Sequence, residues 1–289
     1  MHPTPSSPPL PHTVQPLAEG ADNLWQGHWP DRSIAQVRRP ELLSFRCPGP
    51  ARGQVLVMAG GGYLQLVIDK EGLEIAHWLN GLGLDAHVLV HRLPGQAVGP
   101  GPDSPSGENG PGEVWPFDIA LRDGLAALQH LARVSPGLPL LHLGLSSGGH
   151  LAGVLACQPH PAPLRLAGAV IAYAPINANH RAYKAPAGKP DYPPPEKQAF
   201  YDAWPIGIRA EPQGLPPCPV FLAYALHDAV VPLDHALNLI QALRAGGGAV
   251  DAHVFAQAPH GFALRHTAGT HDQWPALAAR WMAWQLQGA

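Results

Sequence analysis

The sequence is poor in cysteine: only 3 occur in 289 residues, and Cys47, Cys157 and Cys218 share no CxxC or other close spacing. A disulfide framework or a structural zinc site is therefore not expected, and dispersed thiols of this kind are ordinary in a reducing compartment. Basic charge is equally scarce. The 18 Lys and Arg are outnumbered by 21 Asp and Glu, a formal net charge of −3, and the cations are scattered. No surplus is present to attract a phosphate backbone, so nucleic-acid binding is not expected. No run of about 18 apolar residues occurs, which argues against a membrane span. The opening "MHPTPSSPPLPHTVQPLAEG" has neither a basic nor an apolar signal-peptide region. As written, the chain is expected in the cytoplasm, or exported where a native signal peptide has been removed.

What is abundant points to a folded enzyme-sized domain. The hydrophobic fraction is 46%, with 8 Trp, enough for a well-buried core. Residues 1–20 are rich in Pro and Ser and are expected to form an extended, poorly ordered arm. Residues 21–289 read as a single domain. "SIAQVRRPELLSF" suggests an antiparallel pair at a sheet edge, broken by Pro40. Apolar strand candidates then alternate with helical stretches. The strands are "QVLVMA" (54–59), "DAHVLVH" (85–91), "LPLLHLG" (138–144), "LAGAVIAYAP" (166–175), "PVFLAYAL" (219–226) and "DAHVFAQA". The helices are "EGLEIAHWLNGLG", "FDIALRDGLAALQHLARV" (117–134), a segment from Ser147 to Cys157, "PLDHALNLIQALRAGGG" and "DQWPALAARWMAWQLQ". Continuous apolar strands alternating with helices predict an α/β fold, a mostly parallel sheet with helices on both faces. Two long stretches break the rhythm: a Gly/Pro loop at 93–116 and a Pro/aromatic-rich insertion at 176–217. Segments of this kind in a compact domain are usually functional or mobile.

The stretch "LHLGLSSGGHLAG" places two serines between a predicted strand and a predicted helix. A nucleophile elbow, G-x-S-x-G, needs small residues two before and two after its serine, because larger ones would strike neighbouring backbone. Ser146 has Gly144 and Gly148 at those positions; Ser147 has Leu145 and Gly149 and fails. Ser146 is the candidate nucleophile. Ser147 is expected to lend its backbone N–H to an oxyanion hole, with its hydroxyl only a helix-start feature, so that Ser147→Ala should leave most activity intact. An acid and then a histidine should follow at strand ends. Asp228 stands after "PVFLAYAL" and His260 after "DAHVFAQA", in that order. Taken singly, Asp228 could make an Asx-turn and any one of 17 histidines could be a surface residue; the conjunction carries the assignment. Gly60, Gly61 and Gly62 follow the strand at 54–59, and Gly61 or Gly62 is expected to supply the second N–H. No GK[ST] or GxGxxG accompanies these glycines, which removes the phosphate-loop reading.

"MAGGGY", "GLSSGGHLAG", "LHDAVVP" and "APHGF" resemble the motifs of the α/β-hydrolase superfamily. Within it they are similar to small esterases of the acetylxylan-esterase and carbohydrate acetyl esterase kind, where the corresponding sequences run like P-GGGY, GFSAGGHLA, DD-VVP and GGHGF. Here Ala59 stands where HGGG-type loops carry histidine. The resemblance spans roughly residues 40–285; the arm and the 176–217 insertion lie outside it. It implies an α/β-hydrolase fold, a Ser146–Asp228–His260 triad, an oxyanion hole from Gly61, Gly62 and Ser147, and a cap-like role for the insertion.

The expected chemistry is hydrolysis of short-chain, acetyl-type esters through an acyl-enzyme, on a small-molecule substrate with carbohydrate esters among the candidates, without cofactor or metal. Tyr63, Trp115, Trp204 and Phe262 are candidates to line the substrate site, with core filling the alternative for each. His87 and His91, four apart on one strand, would stand about 13 Å from each other, too far to share a metal ion, and no HExxH occurs. Three other readings stay open: an amide-cleaving relative (kynurenine-formamidase-like or an exopeptidase of the prolyl-oligopeptidase type), an acyltransferase, and a non-catalytic binding protein on a hydrolase scaffold. The absence of a β-propeller-sized extension disfavours the peptidase, and an intact set of three candidate residues disfavours the binding protein.

Overall fold

A run such as Gln54–Met58 has no polar face, so its backbone can be satisfied only by strands on both sides and its side chains only by two apolar layers. The computed structural model, which describes residues 5–98, 113–178, 193–208, 214–266 and 268–287, supplies both. Among the described residues ten strands form: β1(Thr13–Pro16), β2(Leu24–Gln26), β3(Ser33–Gln36), β4(Glu41–Phe45), β5(Gln54–Met58), β6(Asp85–Val90), β7(Leu140–Leu145), β8(Leu166–Ala172), β9(Val220–Ala225) and β10(Val250–Phe255). The described residues also form the α-helices α1(Glu74–Gly81), α2(Ile119–Val134), α3(Ser147–Ala156), α4(Pro195–Ala203), α5(Asp234–Gly246) and α6(Trp274–Gln287).

Eight strands make one sheet in the order β1-β4-β6-β5-β7-β8-β9-β10. From β6 to β10 all neighbours are parallel, whereas β1, β4 and β6 pair antiparallel at one edge. Side chains of β5 alternate between two apolar layers. Val55 and Val57 face the layer that takes Trp78 of α1 and Trp274 and Trp281 of α6. Leu56 and Met58 face the layer built by Leu128 and Leu131 of α2, Leu151 and Leu155 of α3, and Leu239 and Leu243 of α5. Each fully buried Leu or Val of this kind contributes about 1.5–3 kcal/mol. The expected doubly covered, mostly parallel sheet is what forms.

Two edge details differ from expectation. The pieces at 33–36 and 41–45 do not pair with each other. β3 joins β2 in a separate two-stranded ribbon, and β4 enters the main sheet between β1 and β6. Strand β1 itself comes from the segment read as a loose arm, with Thr13 opposite Ser44 and Pro16 opposite Glu41. Pro16 is tolerated because an outermost strand can do without one N–H. The stretch read as helical from Glu71 begins instead with a π-helical turn, Asp69–Leu73, running into α1. Of the 93–116 loop, residues 99–112 lie outside the described residues, as do 179–192 and 209–213 of the 176–217 insertion. No helix among the described residues is long and apolar enough to cross a membrane.

Candidate active site

The chain leaves β5 to one side for β6 and then crosses back to β7 on the other side of β5. The C-terminal ends of β5 and β7 therefore flank a crevice where the winding reverses, the place where open α/β sheets bind ligands. Gly60–Gly62 emerge from β5 and Ser146 from β7.

Ser146 is the hinge between β7 and α3 and adopts φ 51°, ψ −127°, a conformation unusual for a residue with a side chain. Its N–H is held by the Ala172 carbonyl at 2.9 Å, and its own carbonyl accepts the Gly149 N–H at 2.8 Å. The turn is sterically closed: a Cβ on Gly144 would overlap the Gly148 carbonyl, and one on Gly148 would overlap that of Met58. The spacing of small residues around Ser146 is thus a packing requirement.

The strand ends of β9 and β10 bring Asp228 and His260 to the same place. His260 Nδ1–H donates to Asp228 Oδ2 at 2.7 Å, which leaves Nε2 to accept from the Ser146 hydroxyl at 3.1 Å. The Asp228 side chain is fully buried, and its other oxygen accepts the N–H groups of Val230 (2.7 Å) and Val231 (2.9 Å). A carboxylate so occupied is fixed in orientation, and it fixes the imidazole tautomer. His260 keeps 21% exposure, and Ser146 is half-buried, so the pair remains open to a substrate.

The glycine loop lies against this turn. Gly61, at φ 133°, holds a backbone that a side chain would strain. The Ser147 N–H is at the first position of α3, where no preceding turn can accept it. The Ser147 hydroxyl is not a cap for its own helix; it accepts the Gly62 N–H at 2.9 Å. Gly62 is thereby engaged, and Gly61 is the loop amide without a partner among the described residues.

The four aromatic candidates take different positions. Tyr63 is buried, edge-on to His91, His150, Phe200 and Tyr201. Its hydroxyl donates to Nδ1 of His150 at 2.9 Å, and His150 Nε2–H donates to the Trp204 carbonyl at 2.8 Å. Burial lowers the His150 pKa to about 4, so the ring is neutral. Trp204 is half-buried at the end of α4. Trp115 is half-buried under the Arg92 guanidinium, 4.5 Å from its ring centre, and Arg92 pairs in turn with Asp123. Phe262 is fully buried among Tyr173, Phe255, His271 and Trp274. Its ring is a core contact behind His260.

Sequence reasoning passed over Glu71 and Tyr173. Glu71 is buried in the π-helical turn; Oε2 accepts the Gly60 N–H at 2.9 Å and Oε1 the Tyr173 hydroxyl at 3.2 Å. Burial raises its pKa, opposed by the Gly60 N–H, the Lys70 charge and the Tyr173 hydroxyl. The Tyr173 ring stands edge-on to His260, 5.3 Å between centres. A signal for Glu71 existed, since it lies on the helical stripe with Ile75, Trp78 and Leu79, where a carboxylate is out of place. Among the described residues, no group of three or more His, Cys, Asp or Glu could hold a metal ion.

Comparison with known proteins follows the same lines. No curated protein sequence matches. Solved structures do. An acetyl ester-xyloside bifunctional hydrolase from Caldicellulosiruptor lactoaceticus superposes with a TM-score of 0.64 at 20% identity, covering 95% of this chain and 96% of that one. A carboxylesterase from Lactobacillus plantarum WCFS1 gives 0.63 at 17% identity, covering 91% and 97%. A sugar hydrolase from Lactococcus lactis gives 0.63 at 17%, covering 89% and 98%. These likenesses share the α/β-hydrolase fold. The sequence itself matches the prolyl oligopeptidase family over residues 123–289, the part that carries Ser146, Asp228 and His260, and the chain belongs to that family.

Proposed function

We infer that the protein is a serine esterase acting on short-chain, acetyl-type esters through an acyl-enzyme. The observation that carries this reading is the continuous hydrogen-bonded line from Ser146 through His260 to buried Asp228, with the serine raised on a strained turn. In the proposed cycle His260 Nε2 takes the Ser146 proton as Oγ attacks the ester carbonyl, and Asp228 stabilises the imidazolium. The tetrahedral oxyanion is met by the Ser147 N–H and by the glycine loop, each donor lowering the barrier by about 3 kcal/mol. The imidazolium returns its proton to the leaving alcohol. Water, deprotonated by the same histidine, then attacks the acyl-enzyme, and the imidazolium returns that proton to Ser146 Oγ as the acid leaves.

Two solved relatives by fold carry ester hydrolysis in their names, one an acetyl ester-xyloside hydrolase, which supports an acetyl ester of a carbohydrate as the substrate class. Membership of the prolyl oligopeptidase family supports a second reading, amide cleavage by the same three residues. A panel of p-nitrophenyl esters of rising chain length, run beside acetylated xylo-oligosaccharides, N-formylkynurenine and a proline p-nitroanilide, separates them. Preference for acetyl esters, abolished by Ser146→Ala, is the expected result. Turnover confined to the formamide or the anilide would overturn the ester reading.

A further inference from the structure

Two side chains outside the Ser146–His260–Asp228 line grip the glycine loop from opposite ends. Glu71 Oε2 accepts the Gly60 N–H and the Ser147 hydroxyl accepts the Gly62 N–H, both at 2.9 Å. Gly61 lies between two clamped amides, at φ 133°, with its own N–H unclaimed among the described residues. The loop also presses on the nucleophile, for a Cβ on Gly60 would stand 2.7 Å from Cβ of Ser146. Both oxygens of Glu71 accept from donors, Gly60 N–H and Tyr173 O–H, so its hydrogen bonds suit the ionised carboxylate. Through Tyr173, whose ring stands against His260, the same carboxylate is tied to the catalytic histidine.

We propose that Glu71 and Ser147 are positioning residues that hold the 60–62 loop so that Gly61 N–H, with Ser147 N–H, forms the oxyanion hole. The proposal rests on the serine-esterase reading above and deepens it. Backbone donors lower a barrier in proportion to how well they are fixed before the charge develops. A loop of three glycines has no side chains of its own to add rigidity; its carbonyls are held by the N–H groups of Leu64, Gln65 and Val67, but those bonds leave its own N–H groups unheld. The two clamps hold those N–H groups from outside. Ser147 therefore acts twice, once through its N–H and once through its hydroxyl; alanine removes only the second role, and Ser147→Ala is accordingly expected to be damaging, in contrast to the expectation from the sequence.

The test measures p-nitrophenyl acetate kinetics and inhibition by a trifluoromethyl ketone, which forms a tetrahedral adduct, for the wild type, Ser147→Ala, Ser147→Thr, Glu71→Leu and Glu71→Gln. Folding is checked by circular dichroism and thermal midpoint. Expected for Ser147→Ala and Glu71→Leu, which remove the acceptors of the Gly62 and Gly60 N–H groups, is a fall in kcat of about tenfold or more with KM changed less than about threefold. Affinity for the ketone should fall in parallel with kcat/KM. Ser147→Thr, which keeps the hydroxyl, and Glu71→Gln, which keeps an oxygen for the Gly60 N–H, should recover most of it. Should Glu71→Leu not fold, Ser147→Ala decides alone. A folded Ser147→Ala or Glu71→Leu with wild-type kcat, or losses in kcat that leave ketone affinity unchanged, overturn the proposal while leaving the esterase reading intact. A wild type whose ester turnover does not depend on Ser146 overturns both.

Discussion

The Tyr63 hydroxyl stands 2.9 Å from Nδ1 of His150, and this hydrogen bond, with that from the Gly62 N–H to the Ser147 hydroxyl, joins the glycine loop after β5 to the helix behind Ser146. His150 passes the connection on through Nε2–H to the Trp204 carbonyl, at the end of α4 in the insertion. The two elements that carry the candidate oxyanion donors are thus tied to each other and to the chain that borders them. All of this rests on a neutral imidazole, which donates at one nitrogen and accepts at the other.

Tyr63→Phe should test that link. The change leaves His150 Nδ1 buried without a donor, at a cost of about 1–3 kcal/mol. Urea denaturation should show a lower midpoint with an unchanged slope. An unaltered midpoint would mean the pair contributes nothing.

Asp228→Asn should lower kcat on p-nitrophenyl acetate by roughly 10⁴-fold with the fold retained. The amide can present a donor to His260 Nδ1 and so favour the tautomer that cannot take the serine proton. A loss under tenfold would remove Asp228 from the role assigned to it.

Gly148→Ala should destabilise the protein by about 3 kcal/mol or prevent soluble expression, because its Cβ meets the Met58 main chain and no flexible side chain can yield. Gly81→Ala at the end of α1 is the contrast: a Cβ there has nothing within 4 Å. That change should be neutral or stabilising by about 0.5–1 kcal/mol. Equal effects at the two positions, read by thermal denaturation, would contradict the steric account of the elbow.

Stability should fall as the pH drops from about 6.5 towards 4. Burial lowers the pKa of His87 and His150 to about 4 and that of His142 to about 3, the last aided by neighbouring His160. The fold keeps these rings neutral through that window, whereas the unfolded chain takes up protons below its ordinary histidine value of about 6.5. Each such histidine costs about 1.4 kcal/mol per pH unit there. Denaturation midpoints measured across this range should show a shallower slope in His142→Gln than in the wild type; a slope unchanged by the substitution counts against the assignment.

Much of this architecture is legible in the order of residues. Runs such as Val55–Met58 and Leu140–Leu145 lack a polar face, and only a strand covered on both sides can bury them, so the doubly layered parallel sheet follows from composition and period. The elbow is legible for a related reason: Gly144 and Gly148 are small because main chain passes within contact of each. The order Ser146, Asp228, His260 marks three strand ends, and the sheet brings those ends to one edge. Local pattern could not reveal which strands pair across the chain. β1 reaches β4 from a proline-rich segment, and β3 turns away from β4, because edge pairing depends on which distant segment covers the exposed backbone. Nor could it reveal that the Ser147 hydroxyl meets Gly62 or that the Glu71 carboxylate meets Gly60 and Tyr173. Periodicity and spacing, properties of the chain alone, determined the fold and the candidate residues. The partners of each polar group were decided by the tertiary structure, since a hydrogen bond across 85 or 102 residues of sequence depends on how the layers pack.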